Sequence, residues 1–132
     1  MQDTPRDTEL LAAVAEFLRR DVVPALDGSL QFQTRVAANV VDRVLRELEQ
    51  PAAQAEEEQQ RLESLLHLGG DIPTLTQVLC DRIAAGEITI KTPGLTDFLW
   101  WVTRNKLRVD QPRYAGYRRA LERSPADAPP DA

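Results

Sequence analysis

One segment constrains the fold of this chain more than any other. Between Arg35 and Leu48, apolar residues fall on one side of a helix when each residue is advanced by roughly 100°. Polar residues fall on the other side. A helix of this kind must bury its apolar stripe against neighbouring helices, so the segment predicts a helical fold. The apolar stripe consists of Val36, Ala37, Val40, Val41, Val44 and Leu48.

In the rest of the chain, apolar residues also recur at the three- and four-residue intervals of a helix. This pattern predicts an all-α, single-domain bundle of five or six helices with short loops. We expect the second and fifth helices to be central. A short extended segment is predicted at Glu87–Lys91, where apolar and polar residues alternate. The predicted helices span residues 8–23, 30–50, 51–68, 72–85, 93–109 and 113–123. Asp71 and Thr92 are the predicted N-caps of the fourth and fifth helices.

The predicted domain organisation is a flexible leader at residues 1–6, a helical domain at 7–123 and a disordered tail at 124–132. A chain of 132 residues suits one domain. The tail combines three prolines with small and acidic residues, so it has nothing to bury.

Charge and cysteine content narrow the classes of partner and compartment. A net charge of −5 argues against binding nucleic acid or an anionic membrane surface, because both need basic residues. No apolar stretch approaches the roughly 20 residues of a membrane span. Cys80 is the single cysteine, so no internal disulfide can form and a cytoplasmic protein is expected.

The sequence contains no recognisable catalytic arrangement. His67 is the only histidine, and together with Cys80 it cannot supply the ligands of an ordinary zinc site. The consecutive carboxylates Glu56–Glu58 point in different directions along a helix. We therefore expect a noncatalytic protein that needs no metal and no cofactor.

Lys106 interrupts the apolar stripe of the fifth helix. A lysine there extends its ammonium group to water, pairs with a buried carboxylate or binds a ligand anion. Asp21 is the natural partner, because it lies near the C-terminus of the first helix, where the dipole disfavours a negative charge. A solvated helix end is the alternative for Asp21.

Arg35, Asn39 and Arg43 follow i, i+4 spacing, so their side chains are neighbours along the second helix. This polar strip could bind a phosphate or a partner protein, or it could be an exposed face. Asn39 needs a specific explanation, because asparagine is a poor helix former in mid-helix.

Four aromatic residues are candidates for an interface. Trp100 and Trp101 are adjacent and point about 100° apart. Either the fifth helix is covered on two sides, which we favour, or one tryptophan reaches an interface. Tyr114 and Tyr117 lie beside three arginines, which indicates a docking helix with a basic solvent face or, less strongly, a base-stacking platform.

Several short pieces of the chain together resemble a bacterial family of small all-helical proteins of unknown function. No single piece is specific, but their order and spacing are. The matching pieces are residues 10–26, 35–39, 46–48, 79–83 with Gly86, 106–107 and 112–114.

Members of that family occur beside, or fused to, kinases resembling aminoglycoside phosphotransferases, and in the company of acyl-CoA dehydrogenases. The resemblance implies an accessory or interaction module for such an enzyme in acyl-CoA metabolism. The alternative is a small-ligand binder that holds an acyl, carboxylate or phosphate compound between helices, with Lys106 and Arg35 or Arg43 at the mouth of a cavity. A homodimer is possible under either hypothesis.

Overall fold

The computed structural model describes residues 5–123, and the regular secondary structure in that range is entirely helical. The prediction of an all-α fold is thereby confirmed. The predicted tail and most of the predicted leader lie outside the described residues. Within that range the α-helices are α1 (Asp7–Phe17), α2 (Gly28–Leu48), α3 (Ala52–Leu66), α4 (Ile72–Ala84), α5 (Leu95–Asp110) and α6 (Ala115–Arg123).

These helices group into two compact units that divide between Gln50 and Pro51. Unit 1 contains α1 and α2, and unit 2 contains α3 to α6. Each unit is a set of helices that are consecutive in the chain, as short connections between antiparallel neighbours favour.

Pro24 ends the first helix of unit 1 through two non-α turns. A π-helical turn at Leu18–Val22 follows α1, and a 3₁₀ turn at Val23–Ala25 contains the proline. Proline has no amide hydrogen to continue the α-helical ladder, which explains why the regular helix stops before it. The Gln31 side chain then donates to the Val23 carbonyl at 3.1 Å and the Leu26 carbonyl at 2.8 Å, and so ties the turn to α2.

The two helices of unit 1 pack along a seam of small and half-buried residues. Ala15 on α1 is 2% exposed and Ala38 on α2 is 0% exposed. Residues at spacings of three, four and seven from these alanines, namely Leu11, Leu18, Val41 and Leu45, are half-buried. A small buried side chain on each helix lets the two backbones approach closely.

Unit 2 has the larger apolar core. Leu62 on α3 and Leu75 on α4 are both 0% exposed and form its centre. Burial of such side chains is the main favourable contribution to folding, at roughly 1.5–3 kcal/mol for each. The complete buried cluster is Leu62, Leu66, Leu75, Leu79, Ile88, Leu95 and Phe98.

The loop between α4 and α5 differs from the prediction. Residues 87–91 form bends and turns, not an extended crossing, although Ile88 is buried. Thr92 does not cap α5: its hydroxyl accepts a hydrogen bond from the Thr89 amide at 3.0 Å. Gly94 occupies the N-cap position with φ +85°, a conformation that glycine adopts without strain. Because of these loop hydrogen bonds, α5 begins at Leu95, two residues after the predicted start.

Asp71 caps α4 as predicted, and its carboxylate accepts a hydrogen bond from the Thr74 amide at 2.8 Å. The hydrogen bonds with Thr74 hold the pKa of Asp71 below its usual value of 3.8. A lowered folded-state pKa stabilises the fold above the unfolded pKa, and this stabilisation disappears as the pH falls through the folded value.

We therefore expect Asp71→Ala to be less stable than wild type at pH 7 and to approach it at an acid pH below the lowered pKa of Asp71. Urea unfolding followed at both pH values measures the difference. Asp71→Asn is the control, because its amide oxygen can still accept the Thr74 hydrogen bond. A stability loss of equal size at both pH values would contradict a role for the ionised cap.

Candidate interaction surface

Unit 1 exposes large apolar side chains along both of its α-helices. We call seven of these side chains the apolar face. Its least exposed member, Val44, has 39% of its surface in solvent, and Phe17 and Leu48 have 55%. The apolar face consists of Leu10, Val14 and Phe17 on α1 and Val36, Val40, Val44 and Leu48 on α2.

Helical geometry places part of the apolar face on one side of the hairpin. Relative to the buried Ala15, Val14 is turned back by roughly 100° about the axis of α1. Relative to the buried Ala38, Val44 is turned back by roughly 120° about the axis of α2. In two antiparallel helices that face each other, equal rotations away from the seam lead to one common side. Val14 and Val44 therefore share one side of the hairpin, whereas Val40 lies roughly 160° from Ala38 and points away from α1.

The opposite side of the hairpin carries both the exposed Phe32 of α2 and the polar side chains that link the two helices. Arg19, in the π-helical turn that follows α1, forms an ion pair with Asp42 on α2 and donates to the Asn39 side-chain oxygen at 3.1 Å. The hydrogen bond to Asp42 raises the pKa of the Arg19 guanidinium. This contact explains the asparagine in the middle of α2, because its side chain serves as the second acceptor for Arg19.

The expectation that the stripe of α2 is buried is wrong for most of its members. Val36, Val40, Val44 and Leu48 are 39–55% exposed, and Ala37 is also exposed. The physical reason is that α2 is apolar over a wide arc, whereas a single neighbouring helix covers only the narrow seam. α2 is therefore not a central helix within its unit.

The predicted ligand residues have ordinary surroundings. Asp21 is paired with its neighbour Arg20 at 3.3 Å, and Arg43 lies 3.4 Å from Glu47 one helical turn away. Arg35 and Lys106 are exposed. The pairing of Asp21 with Lys106 stays a prediction, as does an anion site at Lys106.

Among the aromatic candidates, exposure differs sharply. Trp100 is 59% and Tyr114 is 54% exposed, whereas Tyr117 is only 4% exposed. Burial raises the pKa of Tyr117, and its position in the core makes it unavailable to a partner. The favoured interpretation, that α5 is covered on both sides, is wrong for Trp100. Trp101 is half-buried.

Within residues 5–123, no helix has the length and apolar character needed to cross a bilayer. Nor does that range bring together three or more metal-binding side chains of the histidine, cysteine, aspartate and glutamate types.

A family model described as a domain of unknown function, DUF6285, matches residues 24–114. This is more than half of the chain. The chain belongs to the DUF6285 family. The match covers α2 to α5, so the DUF6285 region includes the α2 half of the apolar face. It confirms the predicted membership in a family of unknown function. No curated protein and no solved structure matches the chain.

Proposed function

We propose that this chain is a noncatalytic interaction module that docks onto a partner enzyme through the apolar face of unit 1. The single observation that supports this is the exposure of large apolar side chains along the α1–α2 hairpin. Seven of them form the apolar face, and Arg19, Asn39 and Asp42 link the two helices. Exposed apolar surface of this extent is typical of a protein–protein interface.

The size of the apolar face suits such a contact. Summed over its seven members, the exposed area is on the order of 600 Å². A partner surface of equal size would bring the total to about 1,200 Å², which is the lower end of stable, specific interfaces. Branched aliphatic side chains and one phenylalanine also resemble the apolar core of an interface more than its charged rim.

The proposed partner is the kinase-like or the acyl-CoA dehydrogenase-like enzyme that accompanies members of the family the sequence resembles. The support for this is that resemblance, together with the lack of a recognisable catalytic arrangement in the sequence. The net charge of −5 disfavours an anionic membrane as the occupant of the face. The module and its partner would share the cytoplasm, which the single cysteine supports.

The test is direct binding of the purified full chain to each of the two purified enzymes, with complex mass measured by light scattering after gel filtration. Val40→Asp places a carboxylate within the apolar face and should weaken the complex at least tenfold, because a buried unpaired charge is strongly unfavourable. Arg35→Asp adds the same residue on the polar side of α2 and should leave binding unchanged.

Two outcomes would overturn the proposal. One is that the chain binds neither of the two enzymes and elutes alone under gentle conditions. The other is a homodimer that Val40→Asp dissociates, because the apolar face would then be occupied by a second copy. Circular dichroism of both variants verifies that α2 remains helical.

A further inference from the structure

Unit 2 contains a groove of about 830 Å³ between α3, α5 and α6 that combines aromatic and cationic side chains. Both tryptophans of the chain line it, together with four arginines and a single carboxylate, Asp97. Clefts for small ligands usually have about 300–1,000 Å³. The aromatic and cationic members are Arg61, Trp100, Trp101, Arg104, Arg119 and Arg123. We call this the Arg/Trp groove.

Helical spacing explains how the groove acquires this composition. On α5, Asp97, Trp100 and Arg104 are separated by three and four residues, so they share one face. On α6, Arg119 and Arg123 are four residues apart and share another. Seven residues of α5 extend over roughly 10 Å, so the groove accommodates a ligand longer than a single phosphate.

Arg61 fixes the wall of the groove. Its guanidinium group donates to the Glu57 carboxylate at 2.8 Å and 2.6 Å and lies 4.9 Å from the centre of the Trp101 ring. Glu57 compensates the charge of Arg61, and the cation–π contact holds the indole in place. Arg61 is therefore a positioning residue for Trp101.

The exposed members of the groove are available for a ligand. Trp100 is 59% exposed, and Arg119 and Arg123 on the facing helix are also exposed. Guanidinium groups bind phosphate oxygens through paired hydrogen bonds. An open indole face offers a stacking surface for a planar ring. The concentration of arginine is notable in a chain whose net charge is −5.

We propose that the Arg/Trp groove binds a nucleotide. The phosphates contact the guanidinium groups of Arg119 and Arg123, and the base stacks on the indole of Trp100. Asp97 accepts a hydrogen bond from an amino group of the base or from a ribose hydroxyl. A phosphate without a base would use only the arginines, and a nucleoside would use only Trp100 and Asp97. The combination of both features selects the nucleotide.

The test uses the full chain and three nucleoside diphosphates, ADP, GDP and UDP. Tryptophan emission reports binding directly, because both tryptophans lie in the groove. At least one nucleotide should change the emission in a saturable way and bind about tenfold or more tightly than pyrophosphate or its own nucleoside. Calorimetry gives the same affinities independently.

Matched variants locate the site. Arg119→Gln should weaken binding about tenfold, whereas Arg118→Gln should not, because Arg118 is an exposed arginine of α6 outside the groove lining. Trp100→Leu should weaken binding by a similar factor, and Trp100→Phe should restore part of it. These positions are exposed, so the fold should tolerate the changes.

The inference is overturned if none of the three nucleotides saturates, if pyrophosphate or a nucleoside binds as tightly as its nucleotide, or if Arg118→Gln is as harmful as Arg119→Gln. All groove residues belong to unit 2, whereas Val40 belongs to unit 1. Failure of nucleotide binding is therefore distinguishable from failure of enzyme docking.

Discussion

Leu62→Ala should lower the free energy of unfolding of unit 2 by about 3–4 kcal/mol, within the range measured for leucine truncation in closely packed cores. Leu62 is 0% exposed and belongs to the same buried cluster as Leu75, which is also 0% exposed. Truncation removes apolar burial and leaves a cavity that surrounding helices fill only partly. Urea denaturation followed by tryptophan emission measures the loss, because Trp100 and Trp101 are both in α5.

Leu99→Ala is the matched control for this experiment. Leu99 belongs to α5 in the same unit but is 44% exposed, so its truncation should cost less than about 1 kcal/mol. Equal losses for Leu62→Ala and Leu99→Ala would show that the cluster around Leu62 is not the main source of stability in unit 2.

The second large effect concerns the seam of unit 1. Ala38→Leu should destabilise the α1–α2 hairpin by about 1–3 kcal/mol, because a larger side chain in a closely packed position forces the helices apart. Ala38 is 0% exposed and precedes Asn39, which accepts a hydrogen bond from Arg19 in the turn after α1. Hydrogen exchange of the backbone amides in α1 and α2 measures the effect, and both helices should exchange faster.

Ala37→Leu tests whether the position or the residue type is responsible. Ala37 precedes Ala38 in the same helix and is exposed, so leucine there should change amide exchange little. Faster exchange in both variants would mean that leucine perturbs α2 by itself. Unchanged exchange in Ala38→Leu would contradict close packing at the seam.

Local features of the fold were predictable from the sequence. The all-α class, the approximate helix bounds and the cap at Asp71 follow from periodicity and hydrogen-bonding chemistry within a few residues. The start of α5 was less accurate, because Thr92 and Gly94 both suit a helix N-terminus. The Thr92 hydroxyl accepts a hydrogen bond from the Thr89 amide, so Gly94 takes the N-cap position instead. The spacing of residues in the sequence gives no sign of this hydrogen bond.

Burial and long-range contacts were not predictable in the same way. The width of the α2 stripe indicated a helix, but the position of α1 determined that Val40 and Val44 stay exposed. Sequence reasoning singled out Trp100 and Trp101 but missed Arg61, which is 40 residues away from Trp101 in the chain. The surplus of arginines in the last helix was the one available signal for the groove.

The ion pair between Arg19 and Asp42 lies on the opposite side of the hairpin from the apolar face. An increase in salt concentration would therefore weaken the ion pair on one side and strengthen apolar contacts on the other. Dissolved salt screens charges that are partly in water, which loosens the electrostatic link. Strongly hydrated anions such as sulfate favour the burial of apolar surface away from solvent. A sulfate-rich buffer would thus promote docking while relaxing the hairpin that presents the docking surface.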